Sequence, residues 1–120
     1  MTMNAAAQDR HDAEQEGLIL DMIDRFLAVE VKPHVHQLEA DDEYPHAIVE
    51  KMKDMGLFGC LIDPQYGGLG LSTTTYAKII ERMSAVWMSI SGIVNSHLIM
   101  AMAVQRSGTE AQKQAFLPRF

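Results

Sequence analysis

The sequence predicts an all-α domain, an up-and-down bundle of five or six helices with one glycine-rich loop. Three observations lead there. A length of 120 residues with 48% hydrophobic and 22% charged side chains suits one soluble core rather than a disordered or fibrous chain. Apolar residues recur at spacings of three and four through most of the chain, the period of a helix with one buried face. Apart from the glycine-rich segment, the connections between these stripes are short, as antiparallel neighbours in a bundle require.

Residues 1–15 read as a flexible lead-in to a domain covering 16–120. Met1 to Gly17 holds Asp9, Asp12, Glu14 and Glu16 and no apolar stretch, which fits neither a secretory signal nor an acid-poor transit peptide. The first helix starts near Asp12 and carries Ile19, Met22, Ile23, Phe26 and Leu27. Pro33, without an amide hydrogen, kinks or breaks it, and Val35 and Leu38 continue for a further turn or two. Glu39, Asp41, Asp42 and Glu43 ahead of Pro45 suit a new helix, with proline at its first position and carboxylates at the positive end of its dipole. Ile48, Met52 and Met55 face one way until Gly56 stops that helix. From Leu57 to Leu71 the periodicity vanishes, and Gly56, Gly59, Gly67, Gly68, Gly70 and Pro64 mark a compact loop, with a short extended piece at Phe58–Ile62. Ser72 caps the next helix, with Tyr76, Ile79, Ile80, Met83 and Trp87 at helical spacing. A nearly uncharged helix follows from about Met88 to Arg106, closed by Gly108. Thr109 and Gln112 form a capping box for a last helix that meets Pro118.

Charge and cysteine content narrow the function. Residues 1–54 hold 13 acidic and 5 basic side chains and residues 55–120 hold 3 and 5, so the halves carry −8 and +2 and sum to −6. No basic stripe suited to nucleic acid is present. The single Cys60 allows no internal disulfide and fits a reducing, cytoplasmic setting; following an apolar stretch with no basic partner, it reads as an inert buried thiol. The run Met83–Gln105 is long enough to span a bilayer, but its serines, Asn95, His97 and Gln105 would be costly in lipid, and it reads as a core helix.

Few residues suggest chemistry. Gly67, Gly68 and Gly70 lack the Lys-Ser/Thr ending of a phosphate loop and the third glycine of a dinucleotide fingerprint, so they read as a tight connection. His34 and His36, two apart, point to different faces of a helix and do not share a metal. In and before the uncharged helix, Ala85, Ser89, Gly92, Ser96 and Ala103 form a line of small side chains among bulky Ile93, Leu98, Ile99, Met100 and Met102. The resulting groove admits a neighbouring helix or a slender apolar ligand, with Asn95 as a polar marker at its side.

Several segments together resemble the N-terminal helical domain of acyl-CoA dehydrogenases. They are Gly56-Leu57-Phe58-Gly59 through Pro64-Gln65-Tyr66-Gly67-Gly68-Leu69-Gly70, then Asn95-Ser96-His97-Leu98, and Gly108-Thr109-Glu110-Ala111-Gln112-Lys113 ending Phe116-Leu117-Pro118-Arg119. Phe26-Leu27, Val31-Lys32-Pro33-His34 and Glu43-Tyr44-Pro45 are similar to that family's opening. The resemblance covers roughly residue 16 to the end.

It implies an FAD enzyme that oxidises an acyl-CoA thioester to the 2,3-enoyl-CoA and passes electrons to an electron-transfer flavoprotein, as a homo-oligomer when full length. The family's middle β domain, which holds most flavin contacts, and its C-terminal helical domain, which supplies the base, are missing from this sequence. No catalytic, flavin-binding or metal-binding residue is therefore expected in it. Carried over residue by residue, Gly92, Asn95, Ser96 and Ile99 belong to the helix that lines the acyl-chain pocket. Val86-Trp87-Met88 departs from the small and acidic residues usual there, which bears on acyl preference. Two other functions share these features: a domain of a related acyl-CoA oxidase or flavin monooxygenase, and a free-standing helical module that binds an acyl chain or a partner helix without redox chemistry.

Overall fold

Helix α1 spans Ala5–Phe26 in a computed structural model that describes residues 4–120. It begins earlier than the apolar stripe because Asn4 caps it, accepting a hydrogen bond from the Ala7 amide, and three alanines follow, the residue that loses least on entering a helix. Residues 5–15, expected as a flexible lead-in, thus form its first turns and are mostly exposed; the first three residues lie outside the described ones.

The helical run ends ahead of Pro33 as expected: residues 32–34 form a turn, and Val35 and Leu38 lie on a separate short helix. Leu27–Val31 widens into a π-helical turn in which the Lys32 amide donates to the Leu27 carbonyl at 2.8 Å, and Leu27 and Val31 both stay in the core. After it come α2 (Val35–Ala40) and α3 (His46–Asp54). Pro45 stands at the cap of α3 with non-helical backbone, one position earlier than its fixed φ suggested. Gly56 takes the left-handed conformation, φ 76°, that ends the helix.

The extended piece expected at Phe58–Ile62 is replaced by a 3-10 turn over Leu57–Gly59, and a second follows at Pro64–Tyr66. The amides of Gly59, Cys60 and Ile62 close local turns onto Gly56, Leu57 and Gly59, which bring Leu57, Cys60 and Ile62 into the core together. Gln105 holds this loop to the rest of the domain by accepting from the Asp63 amide at 2.9 Å and donating to the Leu61 carbonyl at 3.2 Å.

Helices α4 (Thr73–Val86), α5 (Met88–Ser107) and α6 (Glu110–Phe116) complete the chain. Ser72 caps α4 through the Thr75 amide, and Thr109 and Gln112 form the reciprocal capping box of α6. Trp87, with extended backbone, separates α4 from α5, so Ala85 lies on a different helix from the other small residues of the expected line.

Side-chain pairs give the packing. Glu16 bonds Thr75 and Lys78, and Asp24 pairs with Arg82, so α1 and α4 run in the same direction. Ser84 donates to Ser91 across the Trp87 corner and Tyr76 meets Asn95 further along, so α5 returns antiparallel to α4. Ile23, Met52, Ile79, Met83, Ile90, Val94 and Leu98 fill the core between these helices. The domain measures 53 × 36 × 19 Å, and its thinnest dimension is that of about two helices. Such a slab covers one side of α5 and leaves the other open.

Candidate functional site

Helix α5 is divided lengthwise by this packing. Ile90, Ser91, Val94, Leu98 and Ala101 face inward, whereas Gly92, Asn95, Ser96 and Ile99 occupy one exposed face at successive helical steps. Ile99 is 63% exposed, and Met88 and Met100 of the same helix are 76% and 58% exposed. A β-carbon added at Gly92 would meet nothing within 4 Å. Among the described residues, the small side chains therefore seat no neighbouring helix.

Gly92 and Ser96 open into a cleft of about 740 Å³. Its far wall is the end of α2, with Glu39, and the α2–α3 connection, with Tyr44, and its end is Trp87 at the α4–α5 corner. Trp87 is almost wholly buried and its indole N–H donates to the Glu39 carboxylate at 2.5 Å, which ties α2 to that corner. Asn95 turns to the opposite edge of the face, where its Oδ1 accepts from the Tyr76 hydroxyl at 2.8 Å. Burial pushes the Tyr76 phenol up to about 12, so it remains a neutral donor throughout the physiological range. Ile99 lies further along the helix, outside the cleft. The four expected residues thus share a face, but only Gly92 and Ser96 share a cavity.

Tyr44, Glu39, Trp87 and Tyr76 complete these surroundings. Sequence spacing does not find them as partners: Glu39 and Trp87 are 48 residues apart and Tyr76 and Asn95 are 19.

The glycine loop has no capacity left for an anion. Gly67 and Gly70 have positive φ, and the amides of Gly67, Gly68, Leu69, Gly70 and Leu71 all donate to carbonyls of the same loop, namely those of Pro64, Asp63, Gly59, Ile62 and Cys60. A flavin pyrophosphate requires free amides there, so this loop does not fit FAD. Cys60 is fully buried and desolvation pushes its thiol up to about 11, the wrong direction for a nucleophile.

His97 sits on a different side of α5, between the Phe58 and Phe120 rings at centroid distances of 5.0 and 5.3 Å, both edge to face. Its Nε2 is buried without a partner among the described residues. Burial holds the imidazole below its ordinary value, against a weaker opposing hydrogen bond with the Phe58 backbone. The folded protein therefore favours the neutral ring, and the stability this confers is present above the unfolded value of about 6.5 and is lost as pH falls below it. Denaturant midpoints of the wild type should drop between pH 7.5 and 5.5, and a His97→Gln variant should lose this dependence; equal slopes would remove His97 from the titration. Glu16, whose carboxyl is held low by its hydrogen bonds with Lys78 and Thr75, acts in a more acidic window, below its ordinary value of 4.5.

Comparison with known proteins agrees with this architecture. The family described as "Acyl-CoA dehydrogenase, N-terminal domain" matches residues 13–120. The chain is 35% identical over 107 residues to a (2S)-methylsuccinyl-CoA dehydrogenase of Cereibacter sphaeroides, covering 88% of this chain and 20% of that protein. It is 32% identical over 105 residues to a short-chain specific acyl-CoA dehydrogenase of Clostridium acetobutylicum, covering 87% and 27%. A bovine mitochondrial short/branched chain specific acyl-CoA dehydrogenase is 29% identical over 108 residues, covering 88% and 25%. The chain thus spans between a fifth and three tenths of the length of these relatives. A helical slab with one open face on its longest apolar helix, matched over nearly all its length by one family, belongs to the acyl-CoA dehydrogenases as their N-terminal domain.

Proposed function

We propose that this chain is the first domain of an FAD-dependent dehydrogenase that converts an acyl-CoA thioester to its 2,3-enoyl-CoA, and that the open face of α5 shapes the pocket for the acyl chain. The observation that carries the reading is the uncovered line of Gly92, Asn95, Ser96 and Ile99, where a glycine faces empty space on an otherwise bulky helix. A ligand that is slender and mostly apolar fits such a face, and removing its methylenes from water supplies roughly 0.8 kcal/mol each. In this reading FAD, which supplies the redox chemistry, and the base are held by domains beyond this chain. The residues here bind the acyl chain, orient it and exclude water from it. An electron-transfer flavoprotein takes the electrons, the assembled protein is a cytoplasmic homo-oligomer, and residues 16–120 are the unit that docks on the flavin domain.

The test begins with the genomic reading frame after codon 120. If it continues into a flavin domain, the whole product should purify yellow and form enoyl-CoA with an electron-accepting dye, while residues 1–120 alone stay colourless and inactive. Stoichiometric flavin on residues 1–120 would overturn the placement of the cofactor. A genuine stop codon would favour a helical acyl- or partner-binding module instead.

A further inference from the structure

We propose that Tyr76 is a positioning residue for Asn95, and that the pair selects an acyl chain bearing a neutral hydrogen-bond acceptor, such as a carbonyl or hydroxyl oxygen; this rests on the acyl-chain role proposed for the α5 face. An Asn carboxamide carries an acceptor oxygen on one side and two N–H donors on the other, and a half-turn exchanges them. The Tyr76 hydroxyl occupies the oxygen at 2.8 Å. A phenol donates better than it accepts, because conjugation with the ring withdraws density from its oxygen. The pairing therefore holds the carboxamide in one orientation, with its N–H groups left for the exposed face. Asn95 has no other hydrogen bond among the described residues, so these donors await an acceptor. The exposed Ser96 hydroxyl, on the next residue, adds a second donor to the same face.

Charge elsewhere on the same helix face bears on the choice of acceptor. Glu39, Asp42 and Glu43 line the cleft into which Gly92 and Ser96 open, on the edge away from Asn95. The Glu39 carboxylate accepts from the Trp87 indole. An acyl chain ending in a carboxylate would meet like charge on this side, whereas a neutral carbonyl or hydroxyl takes the donors without that penalty.

Three thioesters of matched length separate the possibilities in the full-length enzyme: hexanoyl-CoA, 5-oxohexanoyl-CoA and glutaryl-CoA. They place a methylene, a ketone and a carboxylate at the same carbon. The 5-oxo compound is expected to exceed hexanoyl-CoA in kcat/KM by roughly five- to tenfold, the worth of one neutral hydrogen bond, and glutaryl-CoA to fall below the ketone. Tyr76→Phe keeps the ring and its packing. It should bring the ketone preference close to one through a higher KM for the ketone, a larger change than in either kinetic constant for hexanoyl-CoA, which offers the pair no acceptor, with the helical fold retained. Asn95→Leu, on the exposed face, should remove the same preference by an independent route. Equal effects of Tyr76→Phe on all three substrates, or a preference that survives it, would overturn the positioning role. Glutaryl-CoA as the best of the three would overturn the neutral-acceptor assignment. Turnover of hexanoyl-CoA without a ketone preference leaves the acyl-chain reading intact and sinks this inference alone, whereas no turnover of any thioester by the flavin-loaded protein overturns both.

Discussion

Gly92→Leu should shorten the acyl chain that the full-length enzyme accepts while leaving the folded domain at least as stable as before. The two effects separate because Gly92 lies on the exposed face of α5 with nothing within 4 Å of an added β-carbon. In the isolated chain a leucine displaces no packed neighbour, and exchanging glycine for a better helix former should raise stability by about 0.8 kcal/mol. In the assembled enzyme the same side chain would stand in the space proposed for substrate. A long acyl-CoA should then lose roughly 10- to 100-fold in kcat/KM, while a short one that ends before Gly92 keeps its rate. Specificity constants for short and long acyl-CoA substrates, measured beside the melting temperature, decide the matter. A uniform loss of activity together with a lowered melting temperature would show that the face seats protein rather than substrate.

Gly68→Ala should be the most damaging small substitution in the domain. A β-carbon there would fall 2.0 Å from the Ile62 carbonyl oxygen and 2.5 Å from its carbon, well inside any tolerable contact with backbone. Neither side of the clash is free to move. The Gly70 amide donates to that same Ile62 carbonyl at 2.9 Å, Leu69 and Leu71 donate to Gly59 and Cys60, and the Ile62 side chain is locked in the core. We expect a loss of about 3 kcal/mol or more, which for a chain of this size lowers the melting temperature by on the order of 10 °C. Gly67→Ala is the control: its φ of 90° disfavours a side chain, but open space surrounds it, so the cost should stay near 1–2 kcal/mol. Thermal melts of the two variants should differ widely; similar melts would mean that the loop relaxes around Gly68.

The sequence by itself determined the helical class, the family and most helix ends. Ser72, Gly56, Gly108 and the Thr109–Gln112 pair act within three or four residues of themselves, so their geometry is written into local order. The stripe Ile19 to Leu27 likewise announces its inward side at Ile23, Phe26 and Leu27, because Asp21, Asp24 and Arg25 mark the outward one, although its Met22 stays exposed. The start of α1 and the fate of Phe58–Ile62 were less legible. An Asn cap before three alanines extends a helix without any apolar stripe, and a short apolar run folds as turns or strand according to what it packs against. Only the tertiary structure decided which side of α5 is open. That helix is apolar around most of its circumference, and Ile90 and Val94 look no different in sequence from Ile99 and Met100. Their burial depends on α4 crossing one side, on the Trp87 corner that sets the crossing, and on the Glu39–Trp87 and Tyr76–Asn95 contacts. Those contacts join residues far apart in the chain, where periodicity carries no information and only the shape of the packed layers selects the partner.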